Sequence, residues 1–156
     1  MHYRAATIDD IQDIQQIRHA VKENVLSDPS LVTDEDCIRY ITQRGKGWVC
    51  EENNRMIGSA IADLQDHNIW ALFLRPEYEG KGIGRQLHYR MLEWYFSQTS
   101  ETVWLSTEKG TRAEGFYRKL GWKEVGSYGK CEIKFEMTFA DWQKVKNAHL
   151  ATDNLI

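Results

Sequence analysis

The first regular pattern along the chain is helical: Ile8, Ile11, Ile14, Ile17 and Val21 recur at three- and four-residue steps behind Thr7, with Asp10 three residues after it. That spacing puts the apolar side chains on one stripe of a helix, and Thr7 with Asp10 has the form of a capping box. A short strand over residues 3–6 precedes it. The run Leu26-Ser27-Asp28-Pro29-Ser30 breaks the pattern, because proline lacks an amide donor and restricts the residue before it. Thr33 with Asp36 repeats the cap, and Ile38 and Ile41 continue a second, shorter helix that stops at Gly45.

From Trp48 onward strands alternate with helices. Trp48-Val49-Cys50 reads as a strand, Glu52-Asn53-Asn54-Arg55 as a turn, and residues 56–64 as the antiparallel partner of a hairpin. Residues 69–74 are apolar throughout, which predicts a central strand covered on both faces. Ile83, Leu87, Met91 and Trp94 form the stripe of a helix running to about Phe96. Residues 102–105 follow as a strand and residues 113–120 as a helix stopped by Gly121. Cys131, Ile133, Phe135, Met137 and Phe139 then alternate with Glu132, Lys134, Glu136 and Thr138, the period of a half-buried strand. Residues 141–150 suit a terminal helix. Leaving that helix aside, the order is β-α-α-β-β-β-α-β-α-β, an α/β fold with hairpins and crossovers in one mixed sheet.

Composition narrows the class. At 156 residues and 42% hydrophobic content, the chain has the size of a single domain with a true core, residues 1–156. A net charge of -3 argues against a nucleic-acid partner, since phosphate-backbone binders carry a basic field. Cys37, Cys50 and Cys131 are odd in number, widely spaced and set in apolar stretches, so they read as reduced core thiols. No stretch has the length and apolar character of a membrane span, and the amino terminus lacks a signal core, which predicts a cytoplasmic protein. The five histidines form no HExxH and no cluster with cysteine, so no metal is expected.

The chemistry sits where the central strand runs into Glu79-Gly80-Lys81-Gly82-Ile83-Gly84 and then a helix. Unpaired amides at a helix start, beside its positive end, make an anion site. Alternate glycines let the backbone close around phosphate oxygens, and Lys81 and Arg85 add positive charge. Taken alone, such glycines also serve a tight bend. A Walker loop is ruled against because Lys81 is followed by Gly82 and not by Ser or Thr, and GxGxxG is ruled against because Gly84 follows Gly82 after one residue.

Read together, residues 72–87, LFLRPEYEGKGIGRQL, resemble the cofactor motif of the GNAT superfamily of acyl-CoA-dependent N-acyltransferases, with Leu72, Leu74, Pro76, Gly82 and Gly84 matching. Residues 111–122, TRAEGFYRKLGW, resemble that family's A-x-x-F-Y-x-K-x-G-F element. Glu79 stands where the family usually has Gln or Arg, and Gly110 where many members have Asn. The resemblance implies a three-layer fold with the sheet flanked by helices, and acetyl-CoA as co-substrate. It also implies direct attack by a primary amine of a small molecule or peptide. It gives the pyrophosphate to the amides of Glu79, Gly80, Lys81, Gly82, Ile83, Gly84 and Arg85. The resemblance further implies that the strand over Leu72 to Leu74 splays from its neighbour, that the Leu74 amide, with Phe73 beside it, bonds the acetyl oxygen, and that Tyr117 protonates the departing sulfur; without the resemblance Tyr117 reads as a core aromatic next to Phe116.

A general base is left open among Asp63, Glu108 and Glu23. Ser106 and Thr107 are channel candidates. The loop 26–32 is the expected acceptor border, with Glu23, Asn24 and Asp28 suited to a cationic amine. Trp48 and Trp70 serve either pocket or core. Two other readings stand beside the enzyme: a non-catalytic acyl-CoA sensor, and a structural domain with an empty turn. The late alternating strand offers an edge for a homodimer, which sequence leaves open.

Overall fold

The structure, a computed structural model, describes residues 1–21 and 32–154, with side chains of the last helix described as far as His149. Leu26, Asp28, Glu23 and Asn24 therefore lie outside the described residues. Two compact units divide the chain, Met1–Tyr95 and Phe96–Ile156.

In the first unit, β1 (His2–Ala5), β2 (Gly45–Glu52), β3 (Arg55–Asp63) and β4 (Asn68–Leu74) pair antiparallel in sequence order. Asn53 and Asn54, both left-handed at φ 53° and 63°, make the two-residue turn between β2 and β3 that matches strand twist. The first helix starts with one 3-10 turn, Ile8–Asp10, and continues as α1 (Ile11–Ala20). The Thr7 amide donates to Asp10 Oδ2 at 2.7 Å, as the cap signature requires. Ile11, Ile14 and Ile17 are buried, whereas Ile8, expected on the same stripe, is 56% exposed because it lies in the 3-10 turn, out of helical phase.

The second helix, α2 (Asp34–Arg39), is capped by Thr33, whose Oγ1 accepts from the Asp36 amide at 3.1 Å, and it widens into a π turn over Tyr40–Arg44 before Gly45. Two apolar clusters join these helices to the sheet. Ile11, Cys37, Ile41, Ile61 and Ala71 form one, and Ile14, Ile17, Val49 and Met56 the other; Phe73 packs against both. The long helix α3 (Ile83–Gln98) begins in this unit, with Ile83, Leu87 and Met91 buried as the stripe predicts.

In the second unit, β5 (Val103–Glu108), α4 (Arg112–Lys119), β6 (Lys123–Tyr128), β7 (Glu132–Met137) and α5 (Phe139–Asn154) follow in order. β7 lies between β5 and β6 and is antiparallel to both. β6, the strand that the family resemblance implies after α4, is absent from the order read from hydrophobic period because all six of its residues are exposed; β7 alone supplies its ladder. Two ends of the predicted last strand also differ. Cys131 is exposed in the turn before β7 and is no core thiol, since Gly129 at φ 62° reverses the chain just ahead of it. Phe139 opens α5, because Thr138 Oγ1 accepts from the Asp141 amide at 3.1 Å and caps that helix.

Candidate active site

β3 and β4 pair with Gly58 opposite Leu74, and the Arg75 amide donates to the Ile57 carbonyl at 2.8 Å. In an antiparallel ladder that bond brackets a non-hydrogen-bonded pair, so the Leu74 amide points away from β3 while the Phe73 amide points toward it. Side chains alternate accordingly: Phe73 joins the α1 side, and Leu74 lies on the face of Leu87. A Cβ at Gly58 would sit 2.9 Å from Leu74 Cδ1 and 3.0 Å from Leu87 Cδ1, so a side chain here would push both leucine tips aside. Ile69 and Ala71 are buried, but Leu72, Phe73 and Leu74 are half-buried, which corrects the expectation of a strand covered on both faces along its length. The chain leaves the sheet after Leu74, and its last apolar residues keep partial access to solvent.

Arg75 holds that exit in place. It is 8% exposed; its Nε donates to the Met56 carbonyl at 2.8 Å and its Nη2 to Gln16 Oε1 at 3.2 Å. Pro76 then opens a single 3-10 turn, with the Tyr78 amide on the Arg75 carbonyl at 2.9 Å and the Glu79 amide on the Pro76 carbonyl at 3.2 Å. Gly80 and Gly82 follow at φ 77° and 82°, the left-handed region that glycine enters without penalty. The Gly82 carbonyl accepts from the Gln86 amide at 3.1 Å, which starts α3.

Glu79, Gly80, Lys81, Gly82 and Arg85 are exposed, Gly84 is half-buried, and Ile83 is buried as the anchor. Lys81 Nζ lies 5.2 Å from the Tyr78 ring centroid. No acidic residue occupies the first turn of α3, and a Cβ at Gly82 would meet nothing within 4 Å. Exposed amides at the positive end of a 16-residue helix, with open space beside them and two cations nearby, form a cradle of the kind a phosphate fits.

Tyr117 belongs to the second unit. It is 7% exposed on α4 and packs against Phe116, Trp122 and Phe135 with ring centroids 5.2, 5.9 and 6.5 Å away. Thr111 caps α4. Gly110 has φ 83°, a conformation asparagine also tolerates, and its amide donates to Glu114 Oε1 at 2.9 Å. Replacement of the usual Asn by Gly110 thus preserves the backbone turn ahead of the helix.

A sequence model of the Acetyltransferase (GNAT) family matches residues 10–122. The chain belongs to the GNAT acetyltransferase family. Among curated relatives, it is 30% identical over 76 residues to the [ribosomal protein bS18]-alanine N-acetyltransferase of Haemophilus influenzae, covering 47% of this chain and 52% of that protein. It is 31% identical over 93 residues to the peptidyl-lysine N-acetyltransferase YjaB of Escherichia coli, covering 59% of each. The matches thus span between half and three-fifths of these relatives' lengths. In fold it is similar to the PaiA N-acetyltransferase of Thermoplasma acidophilum in complex with coenzyme A, with TM-score 0.76, 17% identity, and coverage of 88% of this chain and 98% of that one.

Several candidates in this GNAT chain find other work. Asp63 is 1% exposed, and its oxygens take Arg44 Nε at 3.2 Å, Arg44 Nη2 at 2.7 Å and the Gln65 amide at 2.9 Å. That engagement removes it from the general-base candidates. Glu108 stays half-exposed at the end of β5, opposite Glu132, and Ser106 Oγ reaches Glu132 Oε1 at 3.4 Å. Trp48 is core, edge-on to Trp94 at 5.6 Å, while Trp70 is half-buried and stacked on Tyr40. Among the described residues, no group of three or more His, Cys, Asp or Glu side chains is arranged to hold a metal ion, and no helix is long and apolar enough to cross a membrane.

Sequence reasoning missed Arg75, Gln15 and Arg18. Gln15 and Arg18 stand at i+4 and i+7 from Ile11, on the apolar stripe of α1. A polar and a charged residue in a stripe that faces a core is a signal that periodicity counting passes over.

Proposed function

We propose that the chain is an N-acetyltransferase that moves the acetyl group of acetyl-CoA to a primary amine. The observation that carries this reading is the exposed amide turn at the start of α3, reached directly from a strand whose Leu74 amide faces away from β3. In this reading the amides of residues 80–85 hold the pyrophosphate, with Lys81 and Arg85 in support, while the Glu79 amide is already given to the Pro76 carbonyl. The Leu74 N–H polarises the acetyl carbonyl, and Leu72 and Phe73 flank it. The neutral amine nitrogen, its ammonium proton already lost to solvent, bonds to the acetyl carbon as the carbon–sulfur bond breaks; Tyr117 gives its phenolic proton to the sulfur, the acylated nitrogen releases its surplus proton to water, and the tyrosinate regains one from water. The two units serve one domain, in keeping with a family match that takes in parts of both.

Protein amines are the acceptors named for the relatives, an alanine of a ribosomal protein for one and a peptidyl lysine for the other. We therefore favour an amine on a peptide or protein, with small amines as the comparison. Calorimetry with acetyl-CoA, followed by thiol release against alanine-ended peptides, lysine peptides and polyamines, tests the reading. Binding with turnover of one amine class is the expected result. Tight binding with no turnover across the panel would instead favour an acyl-CoA sensor, and no binding would sink both.

A further inference from the structure

At the end of β4 burial runs against side-chain polarity. Leu72, Phe73 and Leu74 are half-buried, yet the next residue, Arg75, is 8% exposed. Taking a guanidinium out of water is costly unless its donors are answered. Here Nε donates to the Met56 carbonyl of β3 at 2.8 Å and Nη2 to Gln16 Oε1 of α1 at 3.2 Å, so both bonds end on neutral oxygens. An apolar side chain of similar volume would serve packing alone at lower cost.

The bonds converge on one short stretch of β3. The Arg75 amide donates to the Ile57 carbonyl at 2.8 Å, its Nε takes the neighbouring Met56 carbonyl, and Arg55 Nη2 lies 3.3 Å from Glu77 Oε1. Arg55, Met56 and Ile57 thus each hold the chain between Arg75 and Glu77, just where it leaves the sheet. The Arg55–Glu77 pair is exposed on both sides and contributes little. The inner fastening belongs to Arg75. Met56 is itself buried against Ile14 and Ile17 of α1, and Gln16 stands between those two isoleucines in the chain. One guanidinium therefore ties the exit of β4 to the neighbouring strand and to the helix above it.

Two parts of the site lie on either side of that fastening. Leu74 precedes it, with its amide turned from β3, and the left-handed Gly80 and Gly82 follow it at the start of α3. A Leu74 N–H that loses its direction no longer polarises an acetyl carbonyl, whereas amides carried by α3 still hold the cofactor. We infer that Arg75 is a positioning residue for acetyl transfer: its guanidinium, fastened to Met56 and Gln16, fixes the direction of the Leu74 N–H toward the acetyl oxygen and so acts on the chemical step more than on cofactor binding. This rests on the acetyltransferase reading and deepens it.

Arg75→Ala tests it through a spectroscopic readout and a kinetic one. Acetyl-CoA isotopically labelled at its carbonyl carbon and bound to the wild-type protein should show its thioester stretch below that of the free cofactor, because a hydrogen bond weakens the C=O bond. In Arg75→Ala most of that shift should vanish, while the Kd for acetyl-CoA by calorimetry stays within about threefold. With an alanine-ended or lysine peptide as acceptor, kcat should fall about tenfold with acetyl-CoA KM little changed. Guanidinium chloride at low millimolar concentration should restore part of that loss. Further loss on the same addition, as expected of a merely destabilised protein, would overturn the inference. Arg75→Lys keeps the charge and one donor toward Met56, so it should show an intermediate shift and kcat, and it decides the matter where Arg75→Ala does not fold. A wild-type carbonyl shift and kcat in either folded variant, or a shift lost only in step with cofactor binding, would also overturn it. A wild-type protein that does not bind acetyl-CoA, or binds it with no carbonyl shift, is the separate result that removes the reading of Leu74 beneath it.

Discussion

The Arg75 amide donates to the Ile57 carbonyl at 2.8 Å, and this one bond turns the adjacent Leu74 amide away from β3. Its geometry depends on the close approach of strands at Gly58, where a Cβ would also lie 3.2 Å from the Phe73 carbonyl oxygen. Gly58→Val is expected to cost about 1–3 kcal/mol by overpacking. It should also lower acetyl-CoA turnover more than twofold at temperatures where the protein remains folded. Denaturant melts paired with thiol-release rates measure both; full activity in a destabilised variant would show that Leu74 need not be held so closely.

Gly82 caps α3 at φ 82° with open space where a Cβ would go. Gly82→Ala therefore meets a backbone penalty of about 1–2 kcal/mol and no clash. We expect a melting temperature lowered by a few degrees and a Kd for acetyl-CoA raised about tenfold, because the amide cradle relaxes. An unaltered Kd would move the pyrophosphate elsewhere.

Glu79 is exposed in the same turn. Its carboxylate opposes an incoming pyrophosphate only through screened, solvent-facing repulsion. Glu79→Gln should hold or improve acetyl-CoA affinity, most visibly at low salt. A large loss of affinity in calorimetry would mean that this carboxylate organises the turn.

Tyr117 packs among three aromatic rings, so Tyr117→Phe keeps the packing and removes only the hydroxyl. Loss of a general acid lowers kcat by about a hundredfold or more with acceptor KM little changed. A variant that turns over at the wild-type rate would return Tyr117 to a packing role.

Arg4 bonds Asp10 at 2.8 Å through both carboxylate oxygens, and the Thr7 amide adds a third bond. The Arg4 guanidinium, as the largest cause, holds the Asp10 carboxyl below its ordinary value against the effect of burial. A depressed carboxyl stabilises the folded state fully above its unfolded value, near about pH 4, and that stability is lost as pH falls through the folded value. Asp10→Asn should therefore be about 1–2 kcal/mol less stable at neutral pH and lose less on further acidification than the wild-type protein. Urea melts at pH 7 and pH 3 read the difference; parallel acid sensitivity would assign it to other carboxylates.

The sequence by itself determined the features whose causes are local. The isoleucine stripe of α1, the caps at Thr7 and Thr33, the Asn53-Asn54 turn and the passage from β4 through Gly80 and Gly82 into α3 all follow from period, cap chemistry and backbone freedom within a few residues. The glycine turn ahead of α3 was legible for the same reason. Only the tertiary structure decided what depends on partners far along the chain. β6 is a strand because β7 pairs with it, although none of its six residues is buried. Asp63 is an ion-pair partner because Arg44 arrives from nineteen residues away, which no carboxylate reveals alone. Arg18 stands in an apolar stripe, and only the packing of α1 against β4 discloses the Trp70 and Phe73 rings that make a charge there tolerable.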